Sequence, residues 1–457
     1  MGEGTNAALD IAAVAPHFDA CFRDRRHVVL AVSGGCDSMA MMHLASAWRM
    51  ERGAGAPMFS VVTVDHALRA GSAAEADFVA AAATRLGFAH TTLTWSGVKP
   101  HTGIQAGARA ARYRLLSDHL ASHCWQTLAM AHTQDDQAET LLMRLARGSG
   151  LDGLAGMSQF RPAGSVTIVR PLLSFAKARL VATLVAMGEP WIEDPSNDNA
   201  DFERVRVRQA RAALDAAGLG IEALALSARR LGRARAALDV ATRDAVHRAG
   251  NGFRIDDLGY AEVSWHWLMG LPEEVRLRVL ARVIEALGGA SRPLSLASLE
   301  AMTEGLQWRM PSGRTLGGMV FSGGSVSTVP GTCSPGVPGA LSSDRVVITR
   351  EFGRRQAPLP EVSLAPGEMM IWDNRFTLAS DAANEGSYTV RALGNDGLVR
   401  LKALGLDPLP HPVRAMRSIP ALWQGQHLAA VPLLGHFGDG PEAVKISCRL
   451  MNRPFAD

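Results

Sequence analysis

Apolar positions in roughly the first 210 residues fall into short runs that alternate with longer stretches of helical period. His27-Val28-Val29-Leu30-Ala31-Val32, Met58-Phe59-Ser60-Val61-Val62-Thr63-Val64, His90 to Trp95, Thr127 to Ala131 and Val166 to Val169 read as strands. The unbroken, β-branched runs suit strands covered on both faces. Between them Met39 to Leu44, Ala73 to Leu86, Ile104 to His123 and the stretch after Arg170-Pro171-Leu172-Leu173 to about Met187 read as helices, with Gly87 as a stop. A lead-in helix is expected before about residue 25. Strands alternating with helices predict an α/β fold with a doubly wound parallel sheet. From about 214 to 305 the pattern is helical, which predicts an all-α domain. Ser322 to Pro338 is rich in Gly, Ser and Pro and reads as a linker. Short strands return after 344, at Val346-Val347-Ile348, Met369 to Trp372 and Leu428 to Leu434, with Val413 to Pro420 as a basic helix or loop. The expected division is an α/β domain over 1–213, a helical domain over 214–330 and a small α+β domain over 344–457.

The first strand runs directly into Ser33-Gly34-Gly35-Cys36-Asp37-Ser38 and then a helix. A strand, a glycine turn and a helix N-terminus aim free N–H groups and the positive end of a helix dipole at one point, which suits phosphate. Gly34 and Gly35 allow close approach and positive φ. Ser33 and Ser38 add hydroxyl donors, and Cys36 adds its backbone N–H. Asp37 would repel phosphate unless a cation lay between them, so it reads as a ligand for a hard cation such as Mg²⁺ on a nucleotide. A structural turn with an ordinary helix cap is the competing reading. No Gly-Lys-Ser/Thr occurs in the chain, which argues against a Walker A kinase or GTPase.

Other candidates lie where ligands gather, at strand C-termini. Asp65-His66-Ala67-Leu68-Arg69 ends the second strand. His132-Thr133-Gln134-Asp135-Asp136-Gln137-Ala138-Glu139 follows the fourth. One acid there is explained as a helix cap, but three repelling carboxylates, Asp135, Asp136 and Glu139, call for a cation or an ammonium substrate. Arg109 and Arg112 share a helix face beside Tyr113. Arg204-Val205-Arg206-Val207-Arg208 reads as a phosphate-gripping stripe, against a half-buried strand or a basic helix start. Arg229, Arg230, Arg233 and Arg235 form a further basic cluster. Gly148-Ser149-Gly150-Leu151-Asp152-Gly153 fits G-x-G-x-x-G but follows a helix, so it reads as a flexible loop rather than a dinucleotide site.

Composition narrows the class. The 457 residues carry a net charge of only +3, with 47% hydrophobic and 20% charged residues, as in a globular protein of two or three domains. Lysine occurs only at 99, 177, 402 and 445, so the basic side chains are nearly all arginine. Arginine suits bidentate phosphate contacts, although GC-rich codons explain the bias of the whole chain better. Cys21, Cys36, Cys124, Cys333 and Cys448 form no C-x-x-C pair, which disfavours a zinc site, an iron–sulfur site or a disulfide framework. The start lacks a signal-peptide pattern and no stretch is long and apolar enough for a membrane span, so a cytoplasmic protein without a membrane partner is expected.

The Ser33–Ser38 loop resembles the pyrophosphatase loop of the N-type ATP pyrophosphatases, which implies cleavage of ATP between its α- and β-phosphates and adenylation of a substrate oxygen. That loop is followed in order by VDHALR, ARAARY, AHTQDDQAET, RGSGLDGLAGM, RPLL and WIEDPSN, and more loosely by RTLGGMVF and HPVRAMRSIPAL. Together these motifs resemble the tRNA(Ile)-lysidine synthase family. The resemblance implies ATP and Mg²⁺ as cofactors, and tRNA(Ile) with a CAU anticodon and free L-lysine as partners. It implies that the loop binds ATP, that Asp37 and Asp136 hold metal, and that Asp135, Asp136, Glu139 and Arg112 serve the chemistry. Arg109, Arg204, Arg206, Arg208, Arg229, Arg230, Arg233 and Arg235 would contact tRNA, and the later domains would dock its body. Two positions depart from the family pattern: Gln105 replaces a common Glu, and Arg-Val-Arg-Val-Arg replaces Arg-Asn-Arg-Ile-Arg. A tRNA thiolase on the same core and a non-catalytic nucleotide- or RNA-binding module are the rival readings. A homodimer is one arrangement the sequence leaves open.

Overall fold

The computed structural model describes residues 6–67, 71–97, 99, 104–193, 203–289, 294–304, 312–323, 344–353, 358–406, 411–437, 444–451 and 454–455. Leu68 and Arg69, residues 194–197 of the WIEDPSN motif and most of the expected linker lie outside them. The chain divides into two compact units, Met1–Ala236 and Ala237–Asp457.

The first unit runs α1 (Ile11–Phe22), β1 (His27–Ala31), α2 (Cys36–Arg52), β2 (Met58–Asp65), α3 (Ser72–Arg85), β3 (Ala89–Thr94), α4 (Ile104–Ser122), β4 (Thr127–Met130), α5 (Gln134–Leu145), α6 (Leu151–Leu154), β5 (Phe160–Ala163), β6 (Val166–Val169), α7 (Lys177–Met187), α8 (Glu203–Gln209), α9 (Arg211–Ala216) and the start of α10 (Ile221–Arg248). The sheet order is β3-β2-β1-β4-β6-β5. All neighbours pair in parallel except β5 and β6. Alternate strand residues face opposite layers, as a two-residue period requires. Val28, Leu30 and Val61 join a core with α1, α2, α3 and α7, whereas Val29, Val62, Leu128 and Ile168 join a second core with Leu116 and Leu120 of α4. Burial on both faces is why these strands carry unbroken apolar runs.

The expected doubly wound core is therefore present, with one antiparallel addition. β5 contains Pro162 and pairs only with β6, at the sheet edge where a missing N–H is tolerated. The glycine-rich stretch read as a flexible loop holds the short helix α6. Arg204 to Arg208 lies in helix α8 rather than in a strand.

The second unit is not wholly helical at its start. Strands β7 (Phe253–Asp256) and β8 (Tyr260–Ser264) precede α11 (Trp265–Gly270), α12 (Glu273–Leu287) and α13 (Leu296–Glu304), then β9 (Ser312–Leu316), β10 (Met319–Gly323) and β11 (Arg345–Arg350). These strands form one antiparallel sheet, β7-β8-β11-β10-β9, so the all-α expectation for 214–305 is corrected. The hairpin was hidden because each strand is only four or five residues long between strong helical patterns. The rest comprises β12 (Val362–Leu364), β13 (Met369–Trp372), β14 (Phe376–Ser380), β15 (Tyr388–Ala392), α14 (Gly394–Ala403), α15 (Val413–Arg417), β16 (Pro420–Gln424), β17 (His427–Ala430) and β18 (Ile446–Leu450). Its strands form sheets β12-β15-β16-β17 and β13-β14-β18, which share a core of Leu364, Trp372, Phe376, Val390 and Leu422.

Candidate active site

The chain leaves β1 toward β2 and β3 on one side and returns to β4 on the other, so the sheet reverses direction between β1 and β4. The loops after these two strands flank the crevice where open α/β sheets bind ligands. One is Ser33–Ser38 and the other holds the acid cluster.

Gly34 has φ +87°, and its carbonyl accepts the Ile192 N–H at 2.9 Å. Gly35 is the N-cap of α2 with φ −72° and forms no side-chain cap. Of the two glycines that allow a positive φ, Gly34 uses it and Gly35 does not. The Ser38 hydroxyl donates to the Gly35 carbonyl at 2.9 Å and accepts the Ser33 N–H at 3.1 Å, which folds the loop onto the helix start. The first N–H groups of α2 are left without side-chain caps, as an anion site requires.

Asp37 sits in that first turn with its side chain 27% exposed. Its Oδ2 lies 3.6 Å from Lys177 Nζ, and its Oδ1 is buried without a hydrogen-bond partner among the described residues. Burial pushes its pKa up to about 6; Lys177 opposes the shift, and Asp136 and Asp135 add to it. Cys36, beside it, is buried, and burial pushes its thiol up to about 11, so it is protonated at neutral pH.

The acid cluster is organised by caps and arginines of the chain itself. Asp136 Oδ2 accepts the Thr133 N–H at 2.9 Å in a capping box on α5. Asp135 Oδ2 accepts the Lys177 N–H at 2.8 Å and so caps α7 from a distance in sequence. The cap explanation thus covers two of the three carboxylates rather than one. Their remaining charge faces arginine: Asp135 meets Arg211 at 3.2 Å, Asp136 meets Arg204 at 3.5 Å, and Glu139 meets Arg208 at 2.6 Å. Arg204 and Arg208 are one turn apart on α8 and pair with acids of α5; Arg206 and Arg208 are both exposed. Asp135, Glu139, Arg208 and Arg211 line the polar side of an open pocket whose apolar side includes Leu214 and Leu224.

Arg112 is half-buried, with Nη2 3.4 Å from His66 Nε2 at the end of β2. Arg109 is exposed and stacks on Tyr113. His132 accepts Arg170 Nε–H at Nδ1, and burial lowers its pKa to about 4, so the imidazole is neutral. Arg229, Arg230 and Arg233 are exposed on α10, while Arg235 donates to Ser158 Oγ at 2.7 Å. Lys177 and Arg211 were not singled out from sequence, and His66, His132 and Arg170 entered only as members of longer candidate stretches. Lys177 did carry a signal, as one of four lysines in an arginine-rich chain.

Among the described residues no group of three or more His, Cys, Asp or Glu side chains is arranged to hold a metal ion alone. The orphaned Asp37 oxygen still fits a hard cation, and magnesium commonly takes one or two carboxylates and completes its shell with phosphate and water.

Residues 8–212 match the PP-loop domain family. A tRNA(Ile)-lysidine synthase from a Bradyrhizobium species is 42% identical over 345 residues, covering 73% of this chain and 91% of the relative. The chain belongs to the tRNA(Ile)-lysidine synthase family. A member from Ruegeria pomeroyi is 34% identical over 90% of this chain and 89% of its own length, so the relationship extends through both units. Another, from Methylobacterium nodulans, is 46% identical over 66% of this chain and 90% of its own. Among solved structures, a U34-tRNA thiolase from Methanococcus maripaludis is similar at 15% identity, with a TM-score of 0.42, over 49% of this chain and 78% of its own. The family is one of ATP-using ligases built on the PP-loop domain. Among the described residues no helix is long and apolar enough to cross a membrane.

Proposed function

We propose that this protein ligates free L-lysine to the wobble cytidine of a tRNA(Ile) with a CAU anticodon, giving lysidine. The observation that carries the reading is Asp37 on the uncapped start of α2, across a sheet reversal from a carboxylate–arginine cluster, in a chain of this family. In the first step the cytidine ring carbonyl oxygen attacks the α-phosphorus of ATP and pyrophosphate leaves. In the second an amine of lysine adds at the adenylated ring carbon and loses a proton, and AMP departs with the oxygen.

The chain contributes positioning and charge. Ser33 to Ser38 would hold the phosphates through backbone N–H groups and hydroxyls. Asp37, with Asp136 Oδ1, would hold Mg²⁺, which when bound neutralises phosphate charge. Asp135 and Glu139 would receive the ammonium of lysine, with Arg208 or Arg211 of the same pocket facing its carboxylate. Arg112 lies inward beside His66 and suits the nucleotide end, while the exposed Arg109, Arg229, Arg230 and Arg233 suit the tRNA backbone. The second unit would dock the tRNA body. The protonated Cys36 thiol and the absence of a C-x-x-C pair speak against a thiolase.

The test is incubation with ATP, labelled lysine and total tRNA. Label in RNA, with AMP and pyrophosphate as coproducts, is the expected result. ADP as product, or no label in RNA, would overturn the proposal.

A further inference from the structure

Of the four carboxylates Asp37, Asp135, Asp136 and Glu139, three are matched with guanidinium groups: Asp135 with Arg211, Asp136 with Arg204 and Glu139 with Arg208. Asp37 alone faces an ammonium, that of Lys177. The difference has chemical content. A guanidinium is a rigid fork, and Arg208 uses both of its nitrogens on Glu139, at 2.6 and 3.3 Å. An ammonium is a point charge on a flexible stem, and Lys177 stands 3.6 Å from Asp37, beyond a strong hydrogen bond.

Lys177 is also anchored in an unusual way. It is the first residue of α7, and its own N–H is held by Asp135 at 2.8 Å. The base of the side chain is fixed, while its tip, with the side chain 45% exposed, can change partners. Asp37 keeps a second oxygen buried and without a hydrogen-bond partner among the described residues, so Lys177 satisfies only half of this carboxylate.

Resting on the reading that Asp37 serves a magnesium–ATP complex, we infer that Lys177 is the resident counter-cation of Asp37 and transfers to the ATP polyphosphate when nucleotide and metal arrive. In the free protein Asp37 and Lys177 cancel. A polyphosphate seated on the start of α2 brings net negative charge beside them. A divalent cation then competes with the ammonium for Asp37, and the released ammonium lies within reach of the new negative charge. Lys177 is thereby a positioning residue that keeps the empty site neutral and clamps the filled one.

The experiment compares the full chain with Lys177→Met and Lys177→Arg, with Mn²⁺ alone, the analogue α,β-methylene-ATP with Mg²⁺, and AMP as probes. Removing the competitor should tighten Mn²⁺ binding in the absence of nucleotide by about threefold or more in Lys177→Met, as loss of a partly exposed ion pair allows. The same variant should bind the analogue about tenfold or more weakly, because a charge-assisted phosphate contact is gone, while AMP binding stays within about twofold. Lys177→Arg should recover much of the analogue affinity. Unchanged Mn²⁺ and analogue binding in Lys177→Met would overturn the inference. So would a uniform loss for all three probes with a lowered melting temperature, which would make Lys177 a prop for α7. Lysine incorporation by the unaltered protein is scored separately, so failure of the functional reading is told apart from failure of the exchange.

Discussion

Arg208 grips Glu139 with two nitrogens, Nε at 2.6 Å from Oε1 and Nη2 at 3.3 Å from Oε2. Glu139 is buried on α5, and the pair holds α8 against that helix. Among the described residues, Arg208→Ala leaves a buried carboxylate with only Arg204, at 3.9 Å, as a cation in ion-pair range. It should destabilise the fold by about 2 kcal/mol, the usual loss of a hydrogen bond to a charged group. Glu139→Gln should cost less, because the charge left without its partner, on Arg208, is 40% exposed to water, whereas the Glu139 carboxylate is buried. Urea denaturation of the two variants checks this, and equal stability would mean that the pair does not hold α8.

The exposed arginines of α10 should behave differently. Changing Arg229, Arg230 and Arg233 together to Ala should leave the melt unchanged and reduce the log–log salt slope of tRNA binding by about one to three units, as lost phosphate contacts release fewer counterions. Arg235→Ala should leave the slope alone, because that side chain is bound to Ser158. Filter binding over a salt series measures both. An unaltered slope in the triple variant makes this cluster a solvated face.

The contrast between these arginines shows what the sequence could reveal. Strands β1, β2 and β4 were legible because burial on both faces forces unbroken apolar runs, and the loop after β1 was legible because a strand, a glycine turn and a helix start follow one another in a recognisable order of residue types. Pairings distant in sequence leave no such trace. Nothing local says that Lys177 faces Asp37, or that Asp135 caps a helix beginning 42 positions later. The alternation Arg204-Val205-Arg206-Val207-Arg208 fitted a phosphate stripe, a half-buried strand or a basic helix start, and the last is what the structure holds. Only the helix shows that Arg204 and Arg208 turn together toward Asp136 and Glu139.

Asp37→Asn should separate activity from stability. Its folded pKa, about 6, lies above the ordinary 3.8, so the native state favours the protonated form. The penalty for ionising it is absent below about pH 4, grows between 4 and 6, and is complete above 6. Asn mimics the uncharged form, so the variant should be more stable than the parent above pH 6, by about 1–3 kcal/mol, and equal to it below pH 4. Adenylation should fall by a factor of roughly 10² to 10³, with tRNA affinity retained. Denaturation at several pH values, paired with lysine incorporation and filter binding, tests the set. Incorporation near the parent rate would reduce Asp37 to a helix-start residue.

Cys36→Ala should retain near-normal lysine incorporation. The thiol is buried and protonated, and the proposed phosphate contact at this position runs through the backbone N–H rather than the side chain. Loss of activity in a folded variant would return the thiolase to consideration.

The two loop glycines should fail in different ways when each is changed to Ala. At Gly34 the φ of +87° is unfavourable for any side chain, and a Cβ would lie 2.8 Å from Ile192 Cδ1. The clash is with the tip of a flexible side chain, which can move. The backbone strain cannot be relieved without breaking the contact between the Gly34 carbonyl and the Ile192 N–H. Gly34→Ala should therefore lower stability by about 1–3 kcal/mol, the range for a strained φ/ψ. Adding Ile192→Val, which removes Cδ1, should restore only the steric part. At Gly35 the backbone is extended at φ −72°, and the nearest atom a Cβ would meet is Ser33 Oγ at 3.8 Å. Gly35→Ala should fold normally, yet its methyl would stand at the start of α2, where a phosphate must approach the N–H groups. Weaker binding of α,β-methylene-ATP with an unchanged melt is the expected signature. If instead Gly35→Ala binds the analogue as the parent does, the phosphates do not approach the backbone at this residue, and the nucleotide lies elsewhere along the crevice.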